Sequence, residues 1–336
     1  MTRVLVTGAT GFIGRALMPQ LLDRGWKVRA ALRISDSTLP DGVELVTVGD
    51  VADLPDWRPA LKEVDLVVHL AARVHVMADS APDALARYRR INVDATRQLA
   101  EMARNAGVRR FLLMSSTKAA GEGGPNPLTE EMPPNPTDPY GISKLEAEAA
   151  LREAANGKLA SGKLANGNLA GNSMTWVALR PPLVYGPGVG ANFLKLLGLA
   201  RHGMPLPLGA VRNRRSLIYV GNLVDAVIHC LVHPDAANHS FFIHDGEPLS
   251  VPELINRLAR LYGQPPLRQV AIPVPLLRLG AAMLGMSTTC DRLCGSLEVD
   301  DSALRRATNW SPRFTIDEGL RAVVNWDLAR LNTNGL

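Results

Sequence analysis

The amino-acid sequence predicts an α/β protein in which a doubly wound parallel sheet is followed by a smaller, loop-rich α/β lobe. In the first half, short segments that are apolar almost throughout alternate with helical patterns, and a glycine-rich turn directly follows the first such segment. Strands of a parallel sheet are buried on both faces, which is why they read as uninterrupted apolar runs. After Arg180, Pro and Gly become frequent, which favours short elements and irregular connections.

The predicted elements of the first half follow the order strand, turn, helix. Strands are expected at residues 3–6, 28–32, 43–48, 66–70, 110–114 and 176–179. Helices are expected at residues 12–22, 83–105 and 140–153, and in the second half at residues 252–261 and 317–331. Apolar residues at helical spacing distinguish the helices from the strands.

The turn after the first strand indicates a dinucleotide site. Gly8, Gly11 and Gly14 permit a tight turn and a close approach of backbone amides to a pyrophosphate. Phe12 and Ile13 open the helix that follows, whose N-terminus carries the positive end of the helix dipole. These five residues are predicted to contact the cofactor.

The chain is expected to divide into two parts. Residues 1–179 form the predicted dinucleotide-binding domain, and residues 180–336 form mainly a substrate lobe, with some segments returning to the first domain. Residues 156–173 nearly repeat one pentapeptide three times and are rich in Gly and Asn, so we expect a flexible surface insertion there.

Composition excludes several classes of function. The chain has 336 residues and a net charge of +5, with no long basic run and 5% aromatic residues, so no nucleic-acid footprint is expected. Three cysteines fit neither a disulfide framework nor a zinc pattern, and no metal site is predicted. A strand that starts within three residues of Met1 leaves no room for a signal peptide, so a cytoplasmic protein is expected.

The most apolar late segment is residues 270–286. Pro273, Pro275 and Arg278 interrupt it, and it is too short to span a bilayer. We expect a packed helix after a Pro-rich turn, with contact to a membrane surface as the alternative.

The spacing G-x-x-G-x-x-G and the segment His69-Leu-Ala-Ala72 resemble the extended short-chain dehydrogenase/reductase family. The resemblance implies a Rossmann-like fold with a nicotinamide dinucleotide as cofactor. It places Asp50 at the adenine amine, although that residue could instead cap a short helix, and it gives Asn92 a structural role. Further cofactor contacts are implied for Val51, Leu70, Ala71 and Ala72.

The end of the second strand bears on the choice of cofactor. An acidic residue there would bind the ribose of NAD, whereas an arginine accommodates the 2′-phosphate of NADP. This chain has Arg33 at that point, with Arg15 nearby, and Asp36 lies slightly too far along. NADP(H) is therefore favoured, and NAD(H) is possible.

Tyr140 and Lys144 are spaced i, i+4, so both side chains point from one face of a helix. By itself such a spacing arises often by chance. A cation beside a phenol favours the phenolate and lowers its pKa, which suits proton transfer. The family resemblance implies a catalytic hydroxyl five residues before Gly121, which selects Ser116, with Thr117 as the runner-up.

The second half resembles the nucleotide-sugar epimerase and dehydratase branch of the family, in residues 180–188, 191–193 and 215–223. The resemblance implies that Arg215 grips the substrate diphosphate, that Asn192 anchors the same group, and that Arg292 is a weaker second clamp. For both arginines, a solvated loop position is the alternative. Thr117 and Lys118 are further predicted substrate contacts.

Two residues depart from the UDP-galactose 4-epimerase pattern, namely Ala120 and Asn222. The chain looks most like bacterial O-antigen pathway reductases that act on the C4 ketone of UDP-4-keto-6-deoxy-N-acetylglucosamine. The alternatives are a UDP-hexose 4-epimerase with retained NAD and a non-catalytic NADP-sensing regulator. A homodimer formed through residues 83–105 and 140–153 is also implied.

Overall fold

A computed structural model describes residues 1–35, 38–74, 83–157, 173–203, 206–265 and 267–333. Most of the predicted insertion, and Asp36, lie outside the described residues, as does the side chain of Asn192. Within these ranges, no helix is long and apolar enough to cross a membrane.

In the part of the chain that the structure describes, nine strands form a large and a small parallel sheet. They are β1 (Arg3–Thr7), β2 (Lys27–Leu32), β3 (Val43–Thr47), β4 (Leu66–His69), β5 (Arg110–Met114), β6 (Thr175–Arg180), β7 (Leu183–Tyr185), β8 (Leu217–Tyr219) and β9 (His239–Phe242). The large sheet has the order β3-β2-β1-β4-β5-β6-β9, and β7 pairs with β8. All of these pairings are parallel.

The helices cover both faces of the large sheet and build the second lobe. They are α1 (Phe12–Asp23), α2 (Arg58–Leu61), α3 (Ala84–Arg89), α4 (Ala95–Asn105), α5 (Pro139–Ala155), α6 (Ala191–His202), α7 (Val220–Val232), α8 (Val251–Leu261), α9 (Val274–Met283), α10 (Ser287–Cys294), α11 (Ser302–Thr308) and α12 (Ile316–Thr333).

Successive residues of β1 face two separate cores, which explains its uninterrupted apolar sequence. Val4 and Val6 belong to the core beneath α1 and α7, whereas Leu5 belongs to the core beneath α4 and α5. A strand side chain points to alternate faces, so only an element covered on both sides needs an apolar residue at every position. The prediction of a doubly wound, Rossmann-like sheet is confirmed.

The chain crosses between its two halves more than once. Strand β9 lies beside β6 at the edge of the large sheet, and α7 packs on that sheet although both follow the first elements of the lobe. The lobe has its own core, formed chiefly by α6, α8 and α12. The assignment of residues 1–179 to dinucleotide binding and of residues 180–336 mainly to substrate binding stays a prediction.

Two predicted helices differ from the observed ones. The expected helix at residues 83–105 is divided, because a π-helical turn at Arg90–Asp94 separates α3 from α4. The expected packed helix at residues 270–286 forms as α9, but none of its residues is buried. Periodicity predicts a helix, whereas the partner of its apolar face depends on the tertiary structure.

Candidate active site

A cleft of about 960 Å³ opens at the carboxyl ends of the parallel strands. The strand order reverses between β1 and β4, and such a reversal leaves a crevice between the connections that leave the two strands. Residues from the glycine turn, the end of β2, the segment after β3, the end of β4, the end of β5 and the start of α5 line this cleft.

The glycine turn approaches the backbone of the neighbouring strand closely. Gly8 has φ of +68°, and a Cβ atom there would lie 2.7 Å from the backbone nitrogen of Ala71. A Cβ atom on Gly14 would lie 2.4 Å from the carbonyl oxygen of Ala9. Larger residues are thus excluded at both positions, and α1 starts with its N-terminus at the cleft, which suits a pyrophosphate.

All of the predicted cofactor contacts except Asn92 line the cleft. Arg33 lies at the end of β2 with a side chain that is 72% exposed, and its Nη1 is 3.8 Å from Oδ2 of Asp50. Asp50 also accepts a hydrogen bond of 2.9 Å from the amide of Ala52, so it caps a short 3₁₀ turn. Capping and a position in the cleft are therefore compatible.

Asn92 has a positioning role. It lies in the π-helical turn, is buried, and donates to Oγ of Ser143 at 2.9 Å and to the carbonyl of Arg73 at 3.1 Å. It also accepts a hydrogen bond from the amide of Arg73. The side chain thus joins the helix that carries Tyr140 to the loop after β4.

Sequence reasoning missed the pairing of Thr7 with His69. Oγ1 of Thr7 lies 2.7 Å from Nδ1 of His69 and accepts a hydrogen bond from the amide of Ala71. Burial lowers the pKa of His69 to about 3, so the imidazole is neutral at physiological pH. The only sequence signal for this pairing was the histidine of the segment 69–72. In the structure, His69 connects the end of β4 to the end of β1.

The structure brings Ser116, Tyr140 and Lys144 together at the cleft. The hydroxyls of Ser116 and Tyr140 share a hydrogen bond, and Nζ of Lys144 donates to the carbonyl of Met114 at 2.8 Å. The same ammonium lies 5.9 Å from the centroid of the Tyr140 ring. The serine follows β5, and the other two lie on the first turns of α5, so regular elements fix all three.

A close backbone contact brings α5 to the serine loop. The side chain of Asp138 caps the helix by accepting from the amide of Gly141 at 2.7 Å. A Cβ atom at Gly141 would lie only 2.4 Å from the carbonyl oxygen of Lys118. Glycine between the tyrosine and the lysine therefore allows the helix to approach the residues after Ser116.

Burial dominates the electrostatics of the pair. It raises the pKa of Tyr140 to about 12, although the hydrogen bond with Ser116 acts in the opposite direction. Burial also lowers the pKa of Lys144 to about 8, with Glu148 opposing this shift. The pKa of Tyr140 thus shifts upward, opposite to the lowering expected from Lys144, because burying a phenolate costs more than the hydrogen bond with Ser116 returns.

The three neighbouring hydroxyls have different surroundings. Ser115 also lines the cleft, but its hydroxyl donates to the carboxylate of Glu148. Thr117 is buried, with its amide bonded to the carbonyl of Pro181, and it does not line the cleft. Ser116 alone of the three both lines the cleft and contacts Tyr140.

A buried ion pair lies behind Ser116, Tyr140 and Lys144, and sequence reasoning did not predict it. Nε and Nη2 of Arg180 donate to the two carboxylate oxygens of Glu148, at 3.0 and 2.7 Å. Glu148 also accepts from Ser115 and from Ser240 of β9. The carboxylate therefore ties α5 to β5, β6 and β9. Glu148 follows Lys144 by four residues, a spacing that surface helices also show.

The predicted substrate contacts have mixed surroundings. Lys118 pairs with Glu122 and lies 3.3 Å from Asp138, so its charge is neutralised. Arg215 lies in the lobe, where its Nη1 donates to the carbonyls of Arg292 and Gly295, both at 3.0 Å. None of these residues lines the dinucleotide cleft.

Arg215 and Arg292 form what we call the arginine pair. Burial lowers the pKa of Arg215, and the positive charge of Arg292 contributes in the same direction. Within the described ranges, Arg215 makes no ion pair with a carboxylate. The shown hydrogen bonds of the buried Arg215 guanidinium go to neutral carbonyls, and a cation in such surroundings suits an anionic group such as a phosphate.

Asn222 has a packing explanation. Its amide donates to Asp245 and to the carbonyl of Phe314, and its oxygen accepts from the amide of Phe314, each at 2.8 Å. An aspartate here would face Asp245 with a like charge. This departure from the epimerase pattern therefore bears on packing rather than on the substrate.

Comparison with known proteins decides the family. The model of the NAD dependent epimerase/dehydratase family matches residues 4–243. The chain belongs to this family. Its oxidoreductase-type chemistry on a nicotinamide cofactor agrees with the glycine turn and with the Tyr140 and Lys144 pair.

Three relatives illustrate the range of the family. The UDP-glucose 4-epimerase of Vibrio cholerae is 38% identical over 322 residues, which cover 95% of this chain and 93% of that protein. The 2-alkyl-3-oxoalkanoate reductase of Stenotrophomonas maltophilia is 29% identical, with 95% and 97% covered. The structure of MoeE5 in complex with UDP-glucuronic acid and NAD is 27% identical, with a TM-score of 0.76 over 98% of this chain and 100% of that chain.

Proposed function

We propose that this protein reduces the C4 ketone of a UDP-linked 4-keto-6-deoxy-N-acetylhexosamine at the expense of NAD(P)H. The products would be UDP-N-acetylquinovosamine or its C4 epimer UDP-N-acetylfucosamine, for surface polysaccharide synthesis. The observation that carries the proposal is the hydrogen bond between Tyr140 and Ser116 at the dinucleotide cleft, with Lys144 beside it.

The geometry supports proton donation to a ketone oxygen. A bound nicotinamide supplies the hydride to the carbonyl carbon. The negative charge that develops on the oxygen must be neutralised in the transition state. Tyr140 holds its proton at neutral pH, since its pKa is about 12, and donates it to that oxygen. Ser116 hydrogen-bonds the same oxygen, and Lys144 supplies the positive charge close by.

The residues of the cleft fit a nicotinamide dinucleotide. Gly8 and Gly14 let the turn pack closely against neighbouring backbone, and the start of α1 then lines the cleft, where a pyrophosphate can bind. Arg33, exposed at the other end of the cleft, favours the 2′-phosphate of NADP. A reductase that consumes its cofactor is also more often NADPH-dependent. MoeE5 binds NAD, so NAD(H) is the alternative.

The arginine pair supports a diphosphate substrate. Arg215 is positioned by two carbonyl contacts, and its guanidinium can make bidentate bonds to phosphate. MoeE5 was solved with UDP-glucuronic acid, and the Vibrio cholerae relative is named for UDP-glucose. A UDP-linked sugar carries the diphosphate that Arg215 can bind, and it is the kind of ligand named for both relatives.

A UDP-hexose 4-epimerase with retained NAD is the second candidate, and the 38% identity with the Vibrio cholerae protein favours it. An epimerase must first remove a proton from the C4 hydroxyl, which requires a tyrosinate. Burial opposes that form of Tyr140, whereas it favours the acid that a reductase needs. A ketone reductase is also among the relatives.

One experiment separates the two. Purified protein receives UDP-4-keto-6-deoxy-N-acetylglucosamine with NADPH or with NADH, cofactor oxidation is followed at its absorbance maximum, and NMR assigns the product at C4. We expect stoichiometric oxidation, faster with NADPH. Interconversion of UDP-glucose and UDP-galactose with no net oxidation of either cofactor would refute the reductase and support the epimerase. Cofactor binding without either reaction would indicate a sensor.

We further propose that the enzyme acts in the cytoplasm as a homodimer. Helices α4 and α5 pack side by side. The ion pair Arg97–Glu153 joins α4 to α5, and Arg89–Glu146 joins α3 to α5, so the three helices share a common face. Sedimentation equilibrium with purified protein tests the assembly.

A further inference from the structure

Helix α9 presents an apolar face to solvent. Leu276, Leu279 and Met283 lie at positions i, i+3 and i+7 and are 58%, 55% and 78% exposed. Leu284, at the end of the helix, is 76% exposed. Burial of such side chains in apolar surroundings is favourable, so a group of them left together in water indicates a binding surface.

The opposite side of α9 is held by the lobe. Val274 and Leu277 pack against the lobe core, and Nε of Arg278 lies 3.3 Å from Asp291 of α10. Helix α10 in turn supplies the carbonyl of Arg292 that Arg215 holds. The apolar face therefore lies on a helix that is held in place, and α10 connects this helix to Arg215.

The surroundings of α9 carry positive charge. Residues 254–290 contain four arginines and neither Asp nor Glu. Arg257 and Arg278 are paired with carboxylates of other segments. Arg212, Arg260 and Arg268 are exposed and make no ion pair with any residue in the described ranges.

These charges lie near the start of α9. Arg212 and Arg260 line one cleft with Gln269, and the carboxylates that also line it all pair with Arg257. The amide of Gly209 bonds the carbonyl of Val270, which is itself exposed. Exposed arginines therefore lie on segments that meet Gln269 and Val270, just before α9 begins. An exposed apolar helical face flanked by arginines is the pattern of helices that lie in the interface of anionic bilayers.

We propose that α9 docks the protein on an anionic lipid surface, with Leu276, Leu279 and Met283 in the interface and Arg212, Arg260 and Arg268 toward the headgroups. The arginine pair is then held close to the membrane while the dinucleotide cleft stays in the aqueous phase. This inference does not depend on the proposed reaction.

Vesicle sedimentation with the purified full chain tests it, without substrate or cofactor. Phosphatidylcholine vesicles are compared with vesicles that also contain phosphatidylglycerol, at low and high salt. We expect binding only to the anionic vesicles, weakened by salt because the attraction is screened. Leu279→Glu should lower the partition coefficient about tenfold or more, since it removes an apolar contact and adds a like charge to the surface.

Matched variants control for folding and for charge. Leu328→Glu changes an exposed leucine on α12, and Arg24→Gln removes an exposed arginine near α1; both should bind vesicles like the wild type. Arg268→Gln should weaken binding a few-fold. Circular dichroism checks that each variant is folded.

The proposal is overturned if the wild type binds neither vesicle, if it binds both equally, or if Leu279→Glu and Leu328→Glu behave alike. Mass photometry, which measures the oligomeric state, tests whether a second copy of the chain covers this face instead. A dimer that Leu279→Glu dissociates, without vesicle binding by the wild type, would assign the face to a second copy of the chain and overturn lipid docking.

Discussion

The proposed catalytic residues and the arginine pair are held in different ways. Ser116, Tyr140 and Lys144 lie within 29 residues of sequence, at the end of β5 and the start of α5, where hydrogen bonds of regular elements fix them. Arg215 lies on an irregular segment and Arg292 lies on α10, 77 residues later, and contacts with two carbonyls hold the Arg215 side chain. Regular secondary structure fixes the positions of the first three residues, whereas changes in loop sequence can alter the position of Arg215.

Replacing the phenol should have the largest effect and should leave binding intact. Tyr140→Phe removes the proton donor but keeps the ring, so we expect kcat for ketone reduction to fall about 10²- to 10⁴-fold with an unchanged Kd for NADPH. Stopped-flow rates and fluorescence titration measure the two. Tyr88→Phe removes a neighbouring hydroxyl outside the cleft and should cost little. Near-normal kcat in Tyr140→Phe would remove this residue from catalysis.

Changing the arginine pair should act on the substrate alone. Arg215→Gln loses charge-assisted bonds worth about 1.5–3 kcal/mol, so KM for the UDP-sugar should rise about 10- to 100-fold while Kd for NADPH is unchanged. Steady-state kinetics give the first and fluorescence titration the second. Arg214→Gln, which loses an exposed pair with Glu298, is the control and should alter KM little. Equal effects of the two changes would place substrate binding elsewhere.

The pH profile should report the catalytic region only. The pKa of Lys144 is lowered to about 8, so the ammonium is present below that pH and is lost above it. The rate of ketone reduction should therefore fall about tenfold per pH unit above pH 8. Tyr140, with a pKa of about 12, stays protonated over this range. A rate that is flat from pH 7 to pH 10 would contradict a role for the Lys144 charge.

The smallest effect is expected at the exposed end of the cleft. Arg33→Gln should reduce the preference for NADPH over NADH about two- to fivefold, since contacts of an exposed cation are worth about 0.2–1 kcal/mol. Ratios of kcat/KM with each cofactor measure it, and Arg24→Gln is the matched control. An unchanged ratio would leave the cofactor choice to other residues of the cleft.

Part of this site was predictable because its information is local. The glycine spacing, the run 66–70 and the i, i+4 spacing of Tyr140 and Lys144 each concern one or two adjacent elements, and their geometry follows from the periods of strand and helix. The assignment of Ser116 required the family resemblance. In the structure, it is the hydroxyl that meets Tyr140.

Other features have no local signature. The buried pair of Glu148 with Arg180 joins residues 32 positions apart and is recognisable only when β6 lies beside α5. The pairing of Thr7 with His69 spans two neighbouring strands of the sheet. The balance that raises the pKa of Tyr140 depends on burial, which spacing alone does not specify.

The sequence by itself determined the doubly wound parallel sheet, the cleft at its strand ends and the spacing of the proton-transfer pair, because apolar runs, glycines and helical periods act over a few residues. The tertiary structure alone decided that the helix at residues 83–105 contains a π turn. It also decided that Asn92 connects α5 to the loop after β4 and that the apolar face of α9 stays exposed. These depend on which surfaces meet, and that is set by contacts between distant segments.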